Sequence, residues 1–358
     1  MSLVDEIKKL KIELYREPRD KVDKYRLFYN ENLFLPEEYY QKLLEGADIK
    51  SEDFRYYRDS YNEHIGSILS DFLKIDKNML LVGNGVDHLI ILTMGLIAKL
   101  KKKVDIVVPT FDVYAEQASM REIPIREILL NPDFSIDPDK IIRNSSDSFL
   151  FLCSPNNPTG RQFELEKIKY LIENYKGIVV LDETYGEFAD YTLIYNIDDY
   201  ENLIVLRSFS KAWGLAGLRA GYAVSSPELI RSLKTFMDPY PTPLVVKKIL
   251  ASALQLYNYV EKAVKETITM REKIFKALKS IPTITPYPSQ TNFIFFRTIY
   301  ARQLFKKLEE RSIYIKDVSK KPLCKNGLRV TVAPENISNL FLESVREIIG
   351  ELSERDSS

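Results

Sequence analysis

Short apolar runs that end at glycine or polar residues recur through the first two thirds of the chain. They lie at Met79–Val82, Val104–Val108, Phe149–Cys153, Ile178–Leu181 and Leu203–Leu206, with helix-length stretches such as Asp87–Lys99 and Glu164–Tyr175 between them. Apolar strands that alternate with helices are typical of a mainly parallel sheet sandwiched by helices. The pattern therefore predicts an α/β fold, in which ligands bind at the carboxyl ends of the strands.

The pattern changes after the proline-rich segment 239–243. A helical periodicity without internal proline extends from Val245 to Ser280. A second set of elements follows, with strands at Asn292–Phe296, Ile313–Lys316 and Gly327–Val332 and helices at Ala301–Glu310 and Ser338–Leu352. We therefore predict an N-terminal arm over residues 1–35, a large domain over 36–240, and a linking helix with a smaller α+β C-terminal domain over 241–358.

Composition and charge narrow the possible functions. The 358 residues include 45% hydrophobic residues and equal numbers, 51 each, of basic and acidic residues. Zero net charge favours neither nucleic acid nor an anionic membrane as a partner, and no apolar run is long enough to span a bilayer. His64 and His88 lack metal-ligand spacing, so no metal site is predicted. Two distant cysteines and no signal-peptide core indicate a cytoplasmic protein.

Candidate chemistry follows directly after the predicted strands. The segment Gly83–Asp87 opens a helix, and the first backbone N–H groups of a helix suit a phosphate. A dinucleotide-binding fingerprint is disfavoured because His88 stands where the third glycine should be. A plain strand–helix turn remains the simpler alternative. After the next strand, Phe111 either stacks on a flat heterocycle or belongs to the core.

Two further strand ends carry polar side chains. The turn-rich segment 154–160 contains Asn157, whose amide can bond to a ring hydroxyl. Asp182 follows an apolar strand, so its carboxylate would point from the sheet into a cleft. Burying an unpaired carboxylate is costly, and a protonated pyridine nitrogen would serve as its partner. The alternative is that Asp182 caps the next helix.

The segment after Leu203–Leu206 places one lysine, Lys211, among hydroxyls and glycines. A lysine amine can form a Schiff base with an aldehyde, while Ser208, Ser210 and Arg219 could hold a phosphate nearby. Pyridoxal phosphate carries both groups. Taken alone, the segment also fits a surface lysine–arginine pair on a hairpin.

Taken together and in their order along the chain, these motifs resemble those of the class I and II aminotransferases, which are fold-type I pyridoxal phosphate enzymes. The matching segments are 83–85, 109–111, 154–160, 182–185, 208–211, Arg219, and Arg329 within 328–331, and the resemblance extends from about residue 15 to 350. Segments 30–32, 210–212, 215–219, 239–241 and 291–293 are most similar to the histidinol-phosphate aminotransferases. The resemblance implies an aspartate-aminotransferase-like fold and a homodimer.

It also implies a role for each residue of a pyridoxal 5'-phosphate site. Lys211 would bind the cofactor and then move the substrate proton, Asp182 would pair with the ring nitrogen, and Phe111, often tyrosine or tryptophan in the family, would stack on the ring. Tyr185 and Asn157 would contact the ring oxygen, and the phosphate would be held by Ser208, Ser210, Arg219, Gly85 and Val86, with Asp87 nearby. Tyr56 would reach this phosphate from the partner subunit.

On the substrate side, the resemblance assigns the anionic group to Arg329, whose planar fork suits a carboxylate or a phosphate. Histidinol-phosphate enzymes generally carry a second arginine where this chain has Lys316. Lysine keeps the charge but loses the fork. Tyr15 would line the substrate pocket and Asn32 would contact the substrate, although Asn32 also fits a simple turn.

The activity implied is transamination between glutamate, as the amino donor, and a keto acceptor such as imidazole-acetol phosphate. Two alternatives use the same cofactor. One is an aromatic amino acid aminotransferase, and the other is a phosphothreonine decarboxylase-like lyase, which needs no amino acceptor. A cofactor-binding regulator without activity is disfavoured by the presence of Lys211.

Overall fold

A computed structural model describes residues 3–5, 25–143 and 145–357 of the chain. The helices within 25–357 are α1 (Glu37–Gly46), α2 (Glu52–Arg55), α3 (Glu63–Leu73), α4 (Gly85–Lys99), α5 (Val113–Ser119), α6 (Pro138–Ile142), α7 (Leu165–Asn174), α8 (Pro227–Lys234), α9 (Leu244–Gln255), α10 (Tyr257–Lys279), α11 (Ala301–Glu310) and α12 (Glu335–Ser357). The strands are β1 (Tyr25–Arg26), β2 (Leu80–Gly83), β3 (Lys103–Val108), β4 (Ile125–Leu129), β5 (Ser148–Cys153), β6 (Ile178–Asp182), β7 (Leu203–Ser208), β8 (Gly221–Ser225), β9 (Ile284–Pro286), β10 (Phe293–Thr298), β11 (Ile313–Tyr314), β12 (Lys316–Asp317) and β13 (Gly327–Thr331).

The main sheet has seven strands in the order β2-β8-β7-β6-β5-β3-β4. Neighbouring strands are parallel from β7 to β4, and β8 alone runs opposite to its two neighbours. The predicted mainly parallel sheet is therefore confirmed. The apolar-run pattern missed β4 because that edge strand is mostly exposed, and it missed β8 because glycine and serine stand at its ends and leave only three apolar residues between them.

Helices cover both faces of this sheet, as the fully apolar strands predict. Alternate residues of one strand enter different cores: Leu150 and Leu152 pack on one face, whereas Phe149 and Phe151 pack on the other. Because successive side chains of a strand point in opposite directions, a strand with two buried faces must be apolar throughout. Because β3, β5, β6 and β7 run parallel, their carboxyl ends meet at one edge of the sheet.

A second sheet, in the order β12-β13-β10-β9, is antiparallel and has its own core. The predicted helix 245–280 is interrupted at Leu256, where φ is −100° and ψ is 21°, so that it forms α9 and α10. Residues Val260 and Ala263 of α10 pack in the core of the large sheet, whereas Ile274 and Leu278 pack in the second core. Helix α10 therefore belongs to both cores.

The predicted strand Ile313–Lys316 is also divided. Its first part, β11, pairs with β1 near the N-terminus, and its second part, β12, pairs with β13. This exchange of partners brings Lys316 opposite Arg329 in the antiparallel register. The division therefore places two cationic side chains side by side on the second sheet.

No helix among the described residues is long and apolar enough to cross a membrane. Nor do those residues contain a group of three or more His, Cys, Asp or Glu side chains that could hold a metal ion.

Candidate active site

A cavity of about 310 Å³ lies at the edge where the parallel strands end. The second sheet forms its opposite wall, and residues 28–30 form part of its side. Twelve of the residues predicted from the sequence line it: Val86, Asp87, Phe111, Asn157, Asp182, Tyr185, Ser208, Ser210, Lys211, Arg219, Lys316 and Arg329. Strand topology has therefore brought together motifs that are up to 243 positions apart in the chain.

Lys211 lies in the turn after β7, where its amine is largely withdrawn from solvent. Its Nζ donates a hydrogen bond to the carbonyl oxygen of Tyr29 at 2.8 Å. Burial lowers the pKa of Lys211 to about 8, and the positive charge of Arg329 acts in the same direction. A substantial fraction of this amine is therefore neutral and nucleophilic near neutral pH.

Asp182, the last residue of β6, is buried at the floor of the cavity. The hydroxyl of Tyr114 donates to its Oδ2 at 2.5 Å, and the backbone N–H of Thr184 donates to its Oδ1 at 2.9 Å. Burial raises the pKa of the Asp182 carboxyl. Among the described residues the two hydrogen-bond donors to this carboxylate, Tyr114 and the Thr184 N–H, are uncharged, so its charge would be matched by a cationic ligand atom.

One end of the cavity combines hydroxyls, a helix N-terminus and an arginine. Ser208 and Ser210 are buried, and the N–H of Ser210 donates to Ser208 Oγ at 3.1 Å. Arg219 Nη2 donates to Asp87 Oδ2 at 2.6 Å across the first turn of α4. The backbone of Arg219 has a φ of +51°, a left-handed conformation that costs free energy in a non-glycine residue.

Glycines allow the backbone segments at this end to approach each other closely. Gly85 has a φ of +80°, and a Cβ added to Gly221 would lie 3.0 Å from the backbone nitrogen of Val86. A side chain at Gly221 would therefore push the start of β8 away from the start of α4. The narrow cradle that results contains N–H groups and hydroxyls, which suit a phosphate.

Arg329 is buried at the boundary between the two sheets. Its Nη1 donates to Asn157 Oδ1 at 2.5 Å and its Nη2 donates to the carbonyl of Phe28 at 2.5 Å. Its Nε has no partner among the residues that the structure describes. Burial lowers the pKa of the guanidinium. The Tyr185 hydroxyl nearby accepts a hydrogen bond from Asn30 Nδ2 at 2.9 Å.

Phe111 completes the wall of the cavity together with two lysines, Lys316 of β12 and Lys321 of the loop after it. The Phe111 ring meets the Tyr114 ring edge to face, with centroids 5.7 Å apart. Lys316 is an exposed residue that lines the cavity, and partial desolvation of its amine together with the charge of Arg329 lowers its pKa. Lys321, which sequence reasoning did not select, lines it as well.

Four of the predicted residues are not among those that line the cavity: Gly85, whose backbone lies beside Gly221, and three further residues. Tyr56 is exposed just after α2, outside the cavity lining. Asn32 is buried beneath the Lys211 turn, where its Nδ2 donates to Ala212 O at 2.7 Å and its Oδ1 accepts from Phe34 N–H. Tyr15 lies outside the described residues. The roles of these three residues stay predictions.

Sequence reasoning missed several residues whose importance comes from contact rather than motif. Tyr114 bonds to Asp182, Asn30 bonds to Tyr185, and the Tyr29 carbonyl bonds to Lys211. For Tyr114 the sequence offered only an aromatic residue near the start of a helix, and its partner Asp182 lies 68 positions away. For the Tyr29 carbonyl there was no signal, since any residue supplies a backbone oxygen.

The donor set fits pyridoxal phosphate. Lys211 offers a partly neutral amine for the aldehyde, and Asp182 offers a buried negative charge for the ring nitrogen. The Ser208–Arg219 end offers phosphate donors, and the narrow gap between Val86 and Gly221 would be filled by a Cβ. Each functional group of the cofactor therefore has a complementary group in one cavity.

Comparisons with known proteins agree with this geometry. Residues 23–341 match the family "Aminotransferase class I and II". The histidinol-phosphate aminotransferase of Thermoanaerobacter pseudethanolicus is 35% identical over 333 residues, which cover 91% of this chain and 93% of that protein.

Two solved structures show the same fold. The histidinol-phosphate aminotransferase of Clostridium acetobutylicum superposes with a TM-score of 0.82 at 20% identity and covers 91% of this chain and 99% of its own. That of Sinorhizobium meliloti, in complex with pyridoxal-5'-phosphate, superposes with a TM-score of 0.81 at 23% identity and covers 92% of this chain and 91% of its own.

Proposed function

Since the chain belongs to the class I and II aminotransferases, a pyridoxal phosphate-dependent family, we propose that it exchanges an amino group between glutamate and the keto acceptor that corresponds to histidinol phosphate. The observation that carries this proposal is the convergence of Lys211, Asp182 and Arg219 in one cavity whose opposite wall is cationic. Relatives that are 30–35% identical over most of the chain bear the name of this activity.

When bound, pyridoxal phosphate supplies an aldehyde that condenses with amines and a ring that withdraws electrons from the carbon beside the nitrogen. Asp182 would hold its negative charge against the ring nitrogen and keep that nitrogen protonated. Tyr185 and Asn157 would orient the ring through its oxygen, and Phe111 would cover one face. Ser208, Ser210, Arg219 and the N–H groups of Gly85 and Val86 would fix the phosphate.

Lys211 would act first as the covalent anchor and afterwards as the general base. Its low pKa supports both roles, since only the neutral amine can attack an aldehyde or accept a proton. A positioned base of this kind contributes about 10²–10⁴ in rate. The carbonyl of Tyr29, 2.8 Å from Nζ, would hold the amine in place between these steps.

Arg329 would bind the carboxylate of glutamate, and Lys316 would add charge for a phosphorylated substrate. Two N–H groups of Arg329 are engaged by Asn157 and by the Phe28 carbonyl, which leaves the remaining donors for an anion. A lysine at 316 keeps a positive charge for the phosphate and acts as a point charge, without the bidentate fork of an arginine.

The test is a substrate screen with the purified holoenzyme. Histidinol phosphate, phenylalanine and phosphothreonine are each supplied with 2-oxoglutarate, and glutamate formation is measured, with Lys211→Ala as the inactive control. We expect the largest kcat/KM with histidinol phosphate. Preference for phenylalanine would instead identify an aromatic aminotransferase. Carbon dioxide release from phosphothreonine without 2-oxoglutarate would identify a lyase.

We further infer that two copies of the chain form the working unit. Phe54, Tyr56 and Tyr57 make an exposed aromatic surface beside α2, with exposed fractions of 75%, 51% and 85%. Apolar surface of this kind marks an interaction site, and a second copy would bring Tyr56 to the phosphate end of the neighbouring cavity. Mixing Lys211→Ala with Tyr56→Phe chains would regenerate one intact site per hybrid dimer. Absence of recovered activity would contradict the crossing of Tyr56.

We also infer a cytoplasmic location. Both cysteines, Cys153 and Cys324, are buried and free, which suits a reducing compartment. Fractionation of the source cells with an antibody to the chain would test this location.

A further inference from the structure

Lys321 joins the second sheet to the segment that follows β3 of the large sheet, at the wall of the cavity. It lies between β12 and β13, and its Nζ donates to the carbonyl oxygen of Thr110 at 2.9 Å and to the carboxylate of Asp112. These two contacts lie on either side of Phe111. The lysine side chain is 19% exposed, whereas that of Asp112 is 68% exposed.

The pair between Lys321 and Asp112 is of a kind that exchanges easily. An ion pair with one largely exposed partner contributes little net free energy, because water solvates the carboxylate nearly as well. Another anion that enters the cavity can therefore replace Asp112 at small cost. The amine would remain anchored by the Thr110 carbonyl during the exchange.

The surroundings of Lys321 are rich in positive charge. Lys316 and Arg329 line the same wall, directly opposite each other in the register of β12 and β13. The charges of Arg329 and Lys321 both lower the pKa of Lys316, whereas the charge of Asp112 raises it. Three cations thus repel one another across a small space, and a dianion among them would relieve that repulsion.

We propose that Lys321 is a specificity-determining residue that binds the phosphate of a phosphorylated substrate by exchanging the Asp112 carboxylate for a phosphate oxygen. The inference rests on the proposed function, because it deepens the account of how the same cavity accepts its phosphorylated substrate. Arg329 is partly engaged by Asn157 and Phe28, so a phosphate with three acceptor oxygens needs further donors. Lys316 and Lys321 supply them.

Glutamate needs fewer cationic contacts from this wall than a phosphorylated substrate does. Its side-chain carboxylate carries one negative charge and matches the fork of Arg329 alone. Loss of Lys321 should therefore affect the phosphorylated substrate more than glutamate. This difference separates a role in specificity from a general role in building the cavity.

The experiment compares four holoenzyme variants: Lys321→Met, Lys321→Arg, Asp112→Asn and the matched surface control Lys320→Met. KM and kcat are measured for histidinol phosphate and for glutamate. Loss of one charge-assisted contact predicts about a tenfold rise in KM for histidinol phosphate in Lys321→Met. Lys321→Arg should restore most of the affinity, and Lys320→Met should match the wild type.

Asp112→Asn distinguishes the two roles that Lys321 could have. If Lys321 binds the substrate phosphate, removal of its competitor lowers KM for histidinol phosphate or leaves it unchanged. If Lys321 only ties the two sheets together, Asp112→Asn should raise both KM values, as Lys321→Met then would. That second result would overturn the proposal.

Inhibition by inorganic phosphate tests Lys321 independently of the physiological substrate. In the glutamate half-reaction of the holoenzyme, phosphate should inhibit Lys321→Met about tenfold more weakly than the wild type, because the same contact is lost. Equal inhibition of both would refute the role of Lys321. Failure to turn over histidinol phosphate, with weakened phosphate inhibition, would refute the substrate assignment and support the anion site.

Discussion

The pKa of Lys211 predicts how fast the cofactor-free protein captures pyridoxal phosphate at different pH values. With a pKa of about 8, about one quarter of the Lys211 amine is neutral at pH 7.5. For a lysine with the ordinary pKa of 10.5, the neutral fraction at this pH is about one part in a thousand. The buried lysine therefore presents about 200-fold more nucleophile than an exposed one at this pH. The rate of capture should rise with pH and level off above about 8.

Arg329 is the perturbation that tests the origin of this pKa. Burial is the larger cause and the charge of Arg329 is the next, so Arg329→Gln should move the midpoint of the rate profile upward, though not as far as 10.5. Arg329→Lys is the matched control because it keeps the charge. Both variants lose the fork that holds Asn157 and the Phe28 carbonyl, so their difference reports charge alone.

The assay is stopped-flow absorbance of the lysine-bound cofactor between pH 6.5 and 9.5. Titration of the free cofactor contributes equally to all three proteins and cancels in the ratios. A wild-type rate that still rises steeply at pH 9.5, without levelling off, would show that the amine is solvated rather than buried. Identical midpoints in Arg329→Gln and Arg329→Lys would show that the two cations do not interact.

Three further predictions concern buried charge. Tyr114→Phe removes a hydrogen bond that lowers the pKa of Asp182, so we expect kcat to fall about tenfold, with a larger fall in Asp182→Asn. Both variants should still bind the cofactor in a fluorescence titration. An unchanged kcat in both would contradict the pairing of Asp182 with the ring nitrogen. Lys211→Met should raise the free energy of unfolding of the cofactor-free protein by about 1–3 kcal/mol at pH 7, because it removes a buried amine whose pKa is depressed. The gain should shrink as pH rises from 8 to 10.5, where the folded wild type has lost the proton that its unfolded form keeps, and a gain that is constant in thermal denaturation across this range would refute the assignment. Arg207→Met leaves the buried carboxylates of Glu183 and Glu187 without their cationic partner and should lower the free energy of unfolding by about 3–5 kcal/mol in urea denaturation. Because burial already raises the pKa of Glu183, this loss of stability should be smaller at pH 5 than at pH 8. An equal loss at both pH values would mean that the carboxylates are solvated.

Much of the large domain could be predicted from local patterns. Five apolar runs coincide with β2, β3, β5, β6 and β7 to within two residues at each end. A strand buried on both faces must be apolar along its whole length, so it leaves a clear signal in the sequence. The cofactor-site candidates were also local, because parallel strands bring the residues that follow them to one edge.

Local patterns along the chain were therefore enough to predict the class of sheet, the family and the motifs that would meet at the cavity. Other features could not be predicted in this way, because they depend on contacts between distant segments. Leu256 breaks a continuous helical pattern so that α10 can serve two cores, and Tyr114 reaches Asp182 across 68 positions. Lys211 owes its low pKa to burial and to Arg329, 118 positions away, and Lys321 crosses to Asp112. A residue's propensity is local, but its electrostatic environment depends on the neighbours that folding brings to it.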